Sequence, residues 1–201
     1  MRRIDVGILR AAEIKFDLIG DFCSGAPFSA KENVVSVVDG RLLFNGCIYD
    51  SLCFVPKGEG SRFLLYDVVI GVNFHWQRKE NQLFTGELHF IVEDGEVRAV
   101  NRLPVEDYLV SVISSEMSAT SSLELLKAHT IISRSWLYAQ LQRNGKVQQG
   151  VLGWENENEI IRWYAREDHT LFDFCADDHC QRYQGVTRAA NPNVERAVRE
   201  T

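Results

Sequence analysis

VNRLPVEDYLVSVISSEMSATSSLELLKAHTIISRSWLYAQLQ, residues 100–142, decides how the chain is built. The stretch opens on a strand end, and Pro104 stands where a first helical residue is expected. Val105, Tyr108, Leu109, Val112 and Ile113 then recur at helical spacing. They predict a helix that ends at Glu116, just before the Ser- and Thr-rich break at 118–122. Ser121 and Glu124 have the spacing of a capping box and predict the start of a second helix. That helix reads as apolar on a wide face through Leu125, Leu126, Ile131, Ile132, Trp136 and Leu137, with Asn144-Gly145 as its stop. Glu116 thus falls at the elbow between two helices that each bury much of their surface. A carboxylate in such a place is partly desolvated, and desolvation favours the protonated form a general acid needs. On position alone, however, a solvated helix-end glutamate is the better reading, because most glutamates at helix ends are solvated.

Upstream of the elbow the chain reads as β. Residues 5–9 predict a first strand, and 34–38 and 41–44 flank Asp39-Gly40, a hairpin signal suited to a type I′ turn. Residues 61–72 carry two short apolar runs. Residues 82–92 and 96–100 flank Asp94-Gly95 as a second hairpin that feeds the first helix. The class expected is α+β: a β-rich N-terminal lobe over 1–99, then a helical catalytic region over 100–201 that ends in a Cys/His loop. The β lobe reads as a structural platform. A sugar-stacking face is the other reading, because Phe74, His75 and Trp76 can stack on sugar or fill a core. Residues 147–166, rich in Asn, Glu and Trp, read as a substrate-facing lid or as a solvated insertion with a short helix packed by Trp163.

A chain of 201 residues suffices for a substantial core, and 25% charged with 45% hydrophobic residues is ordinary for a globular protein. The formal charge of −6 argues against a nucleic-acid binder working through bulk electrostatics, but not against a polysaccharide ligand. The longest apolar stretch, 63–72, is too short to span a bilayer and contains Asp67. The start, Met1-Arg2-Arg3-Ile4-Asp5, lacks the apolar core of a signal peptide, so read literally the chain is cytoplasmic.

Five cysteines leave an odd one, which argues against a purely disulfide framework. Cys23, Cys47 and Cys53 show no metal spacing and are expected as buried free thiols. By contrast, His169, Cys175, His179 and Cys180 fall within twelve residues, and two thiols with two imidazoles suit tetrahedral zinc. The spacing is not that of a zinc finger. A Cys175–Cys180 disulfide and a pair of thiols beside solvated histidines are the rivals.

The string NRLPVEDYLVSVISSEM followed by LELLKAHTIISRSW closely resembles the core of the SpoIID/LytB family. That family includes stage II sporulation protein D lytic transglycosylases and amidase enhancers. Its pattern reads approximately N-R-L-P-L-E-x-Y-L-x-x-V-x-x-E-M-P, then E-A-L-K-A-Q-A-x-x-A-R-T-Y. The resemblance covers roughly residues 84–201 and implies a cell-wall substrate, with Glu116 as the general acid and base. Lys127 and Arg134 match family positions, with substrate positioning or ion pairing as their implied roles. The segment from Cys175 through Cys180-Gln181-Arg182-Tyr183-Gln184-Gly185 resembles one through which some members bind zinc. A closed four-ligand shell makes such zinc structural, presenting Gln181 and Tyr183 to the groove.

The family's proline after Glu-Met is Ser118 here, its glutamine is His129, and its R-T-Y is Arg134-Ser135-Trp136. These departures bear on substrate contacts more than on the acid. Family members continue with further strands, so an open sheet edge or an apolar patch is expected near the C-terminus. Two function classes follow from the resemblance. One is a peptidoglycan lytic transglycosylase acting on glycan strands; the other is a non-catalytic wall-binding enhancer of a cell-wall amidase. Both imply a chain exported to the periplasm or cell wall after loss of a leader. Nothing in the sequence alone favours sporulation over general wall remodelling.

Overall fold

A computed structural model describes residues 2–72, 74–117, 120–143, 153–162, 169–187 and 191–201. The elements in chain order are β1 (Arg3–Ala11), β2 (Glu13–Ile19), β3 (Phe22–Cys23), β4 (Asn33–Val38), β5 (Arg41–Phe44), β6 (Cys47–Tyr49) and β7 (Leu52–Pro56). There follow β8 (Arg62–Ile70), β9 (Arg78–Phe84), β10 (Glu87–Glu93), β11 (Glu96–Pro104), α1 (Val105–Glu116) and α2 (Leu123–Arg143). The last are β12 (Gly153–Glu155), β13 (Ile160–Arg162), β14 (Phe174–Cys175) and α3 (Pro192–Glu200). The fold is α+β with a β-rich N-terminal half, as the sequence predicts.

The first eleven strands and β14 make two six-stranded sheets, with β14 and β6 at two of the edges. One has the order β14-β1-β11-β10-β7-β3 and the other β6-β5-β4-β2-β8-β9. Their inner faces meet in an aromatic cluster. Phe16 of the second sheet lies with its ring centroid 5.2 Å from Phe54 and 4.9 Å from Phe90 of the first. All three are fully buried, and alternation along each strand supplies the apolar inner face. Both predicted hairpins form. Asp39-Gly40 and Asp94-Gly95 take the paired positive φ angles that a type I′ turn requires.

The run 82–92, predicted as one strand, divides instead. Residues up to Phe84 belong to β9 in the second sheet, and β10 begins the first sheet at Glu87. Gly86 makes the corner. Its φ is +88°, and a Cβ there would strike the Arg102 carbonyl.

α1 follows β11 without a loop, and all five of its predicted apolar positions are buried. Pro104 is the N-cap rather than the first helical residue, because its ψ of 146° is still extended. The cap of α2 is Ser122 and not Ser121; the Ser122 hydroxyl accepts from the Leu125 amide at 3.4 Å. The wide apolar face predicted for α2 is narrower than its sequence implies. Leu126, Thr130, Ser133 and Leu137 are buried, whereas Leu125, Ile131 and Ile132 are exposed, Ile132 to 67%. Asn144-Gly145 and Trp163 lie outside the described residues, and within 147–166 the described part is the β12–β13 hairpin.

In place of an open sheet edge, the last described residues form α3. Asn191 caps it through a hydrogen bond from the Asn193 amide. Its buried stripe, Val194, Ala197 and Val198, joins the core shared with α1 and α2. Among the described residues of this half, the large apolar side chains left exposed are Leu125, Ile131, Ile132, Ile160 and Leu171. Cys47 is exposed and Cys23 and Cys53 are half-buried, so the fully buried thiols expected of these three are not what the fold provides.

Candidate active site and Cys/His cluster

Glu116 ends α1 because the helix stops there: Met117 is extended and its amide still bonds the Ile113 carbonyl. The carboxylate is held from two other elements. Oε2 lies 3.2 Å from Nε2 of His129 on α2, and Oε1 accepts from the Arg182 amide at 3.1 Å. The side chain keeps 30% of its surface exposed. Each carboxylate oxygen has a second lone pair left for a substrate. His129, read from sequence only as a departure from the family pattern, is therefore part of the site. Its Nδ1 is buried and has no partner among the described residues.

An aromatic surface adjoins this carboxylate. Arg182 is fixed by hydrogen bonds to both oxygens of Asp178, the shortest at 2.9 Å, and its guanidinium lies 5.3 Å over the Trp76 ring. Trp76 stacks on Phe74 with centroids 5.3 Å apart and planes 16° from parallel. Phe74 and His75 are exposed, so this loop is not core. Asp177 anchors it by accepting from the Gly71 and Val72 amides. At Gly71, φ is +70° and a Cβ would run into the Trp76 ring, so only glycine lets the indole lie back on the turn.

The four residues expected to face substrate are placed otherwise. Tyr183 is 2% exposed; its hydroxyl donates to Asn101 Oδ1 at 2.6 Å and its ring stacks on Tyr108. Burial, then the charge of Asp107, pushes its phenol pKa upward, so it stays neutral. Gln181 is also buried, and donates to the Ser133 carbonyl. Both support the wall of the site from behind. Arg134 pairs with Glu106 at 2.7 Å and donates to the Val198 carbonyl and the Thr201 hydroxyl, capping the end of α3. Lys127 pairs with Glu200 at 2.8 Å.

His169, Cys175, His179 and Cys180 do converge. Cys180 Sγ lies 3.4 Å from His169 Nε2 and 3.6 Å from His179 Nδ1, and Cys175 Sγ lies 3.8 Å from the same His179 nitrogen. Ligand atoms about 2.0–2.3 Å from a tetrahedral ion stand roughly 3.3–3.8 Å apart, so this donor set has the size and chemistry of a zinc shell. Cys175 and Cys180 are not joined in a disulfide. The Cys175 thiol is pushed up to about 11, first by its hydrogen bond with Cys180 and then by burial. A metal must therefore displace its proton on binding. The loop also closes the first sheet, because Phe174-Cys175 pairs parallel with Val6-Gly7.

A 140 Å³ cavity lies beside this loop, lined by Gly7, Val68, Cys175, Asp177, Tyr183 and Gln184 among others. Glu116 does not line it; the carboxylate stands on the open surface between the loop and α2.

A family model described as SpoIID, stage II sporulation protein, matches residues 93–201, just over half of the chain. No curated protein and no solved structure matches.

Proposed function

The chain belongs to the SpoIID family, a family tied to sporulation and the cell wall, and from that premise we propose that it is a peptidoglycan lytic transglycosylase. The observation that carries this reading is the Glu116 carboxylate, partly exposed and fixed by His129 and the Arg182 amide beside the Phe74–Trp76 surface. Glu116 protonates the glycosidic oxygen between N-acetylmuramic acid and N-acetylglucosamine. As a carboxylate it then accepts the proton of the sugar's own C6 hydroxyl, which closes on C1 to a 1,6-anhydro ring. One residue serves both steps.

The neighbouring acids support a single-carboxylate mechanism, because each is already committed: Asp178 holds Arg182 and Asp177 holds two backbone amides. Glu106, at the far end of α1, holds Arg134. Sugar rings stack on the Phe74–Trp76 surface. His169, Cys175, His179 and Cys180 hold zinc, which would supply a structural tie and no bond-making step. The reading entails an exported chain acting in the cell envelope on glycan strands.

The enhancer reading has one observation of its own. Leu125 and Ile132 leave an apolar strip of α2 exposed beside His129, a surface suited to a partner amidase. Purified glycan strands decide between them. The transglycosylase releases fragments ending in 1,6-anhydro-N-acetylmuramic acid, whereas ends that borohydride can label mean that water attacked. No cleavage, with stimulation of an amidase that survives Glu116→Gln, establishes the enhancer.

A further inference from the structure

The outer face of the first sheet carries a cluster remote in sequence from everything above. β7 and β10 run antiparallel with Cys53 directly opposite His89. Glu87 lies two residues before His89, hence on the same face. The ligand atoms of Cys53, Glu87 and His89 all lie within 4.8 Å of one another.

Their arrangement is unusual in one respect. Cys53 Sγ is 3.5 Å from His89 Nε2, and Glu87 Oε2 is 2.8 Å from that same nitrogen. A thiol–imidazole–carboxylate relay needs the thiol on one ring nitrogen and the carboxylate on the other. Here both address Nε2, which carries at most one hydrogen and so can satisfy only one of them well. A cation between the three serves all three at once. The Sγ–Nε2 separation already equals a tetrahedral edge of about 3.3–3.8 Å, and Oε2 needs to move outward by about half an ångström.

The surroundings are those of a metal ligand set. Glu87 is only 12% exposed and His89 20%. Arg3 binds the other carboxylate oxygen, Oε1, at 2.7 Å, which leaves Oε2 aimed at the cluster and fixes its direction. Beyond Glu87, Arg102 is taken up by Asp5 through two hydrogen bonds and does not compete for Oε2. A sulfur, an imidazole and one carboxylate oxygen select a borderline transition cation and not calcium or magnesium.

We infer that Cys53, Glu87 and His89 form a second divalent-metal site of the zinc class, with three protein ligands and its fourth position open to solvent. It is independent of the Cys175–Cys180 cluster and of the glycan chemistry proposed above. An open fourth position is what distinguishes a zinc that can take up an exogenous ligand from a closed structural one.

Cobalt(II) serves as the spectroscopic probe. Metal-stripped full-length protein is titrated with Co²⁺ and followed by its visible ligand-field and thiolate charge-transfer bands. His89→Gln and Glu87→Gln, both at partly exposed positions, are each expected to bind one equivalent fewer than the unsubstituted protein, and Cys180→Ser to keep that equivalent. Equal stoichiometry and equal spectra for His89→Gln and the parent would overturn the site, as would loss of all cobalt on Cys180→Ser in a chain whose circular dichroism is unchanged. A second measurement needs no variant. Iodoacetamide labelling, read by peptide mass, should be slowed at least ~10-fold at Cys53 by zinc, with the exposed Cys47 as the unprotected control. Equal labelling of Cys53 with and without zinc rejects the inference.

Discussion

Glu116 is held by two hydrogen bonds and buried by nothing large, so its substitution separates chemistry from folding. Glu116→Gln keeps the size and both tethers but has no transferable proton. It should lower turnover on glycan strands by at least ~10²-fold, with thermal stability nearly unchanged. Glu106→Gln should do the reverse, costing roughly 1 kcal/mol in urea denaturation by releasing Arg134, with cleavage retained. His129 gives a graded test. His129→Leu removes the contact to Oε2 and should slow cleavage about tenfold, while His129→Gln, which can still donate, should recover most of it. Equal rates for the two variants would show that the contact is incidental. The role proposed for Glu116 came from the family resemblance, whereas its place at the end of a helix was legible in the sequence, because a helix end and a Ser/Thr break are local signals. Tyr183 was not, since a tyrosine in a motif reads the same whether its ring faces a groove or stacks on Tyr108.

α2 shows how far periodicity alone reaches. The helix was plain, but its buried stripe contains Thr130 and Ser133, which a hydrophobicity pattern passes over in favour of Ile131 and Ile132. Thr130 is tolerated there because its hydroxyl bonds back to the Leu126 carbonyl at 2.7 Å. Leu137→Ala should therefore cost about 2–5 kcal/mol. Ile132→Gln should stay within about 0.5 kcal/mol. A chemical denaturation curve for each distinguishes the observed face from the predicted one. The docking of α3 has an electrostatic component. The Glu200 carboxyl is held down to about 2, first by Arg196 and then by Lys127, from an ordinary 4.5. A depressed acid contributes its stability in full above the ordinary value and loses it as pH falls through the folded one. Melting temperature should accordingly fall between pH 4.5 and about 2, and Lys127→Met should flatten that dependence.

At the scale of the molecule, the two glycine hairpins and the order of β and α segments were readable, because turns and periodicities are short-range. The assignment of strands to sheets was not. β1 and β2 are one residue apart yet lie in different sheets, and β9 parts from β10 at Gly86. Only packing across the aromatic core decides such corners. The Cys/His loop likewise could be recognised as a donor set, while its place at the edge of β1 could not. If zinc holds that loop, a chelator should lower the melting temperature, and Cys180→Ser should lower it as far without chelator. Metal-free protein with Cys175 bonded to Cys180 would end that reading.

The parallel pairing of β14 with β1 also sets an order of events. Asp5 and Asp173 bond one another across 168 residues, and each flanks a strand pair only two residues long. Closing so large a loop is entropically expensive and is repaid by few contacts. The outer edge of β1 at Val6 and Gly7 must therefore wait, its amides and carbonyls bare, until the segment around Phe174 has been made. Such an edge recruits other strands. The first strand is thus the place where an unfinished chain is expected to pair with a second copy, and cover by Phe174-Cys175 is what removes that opportunity.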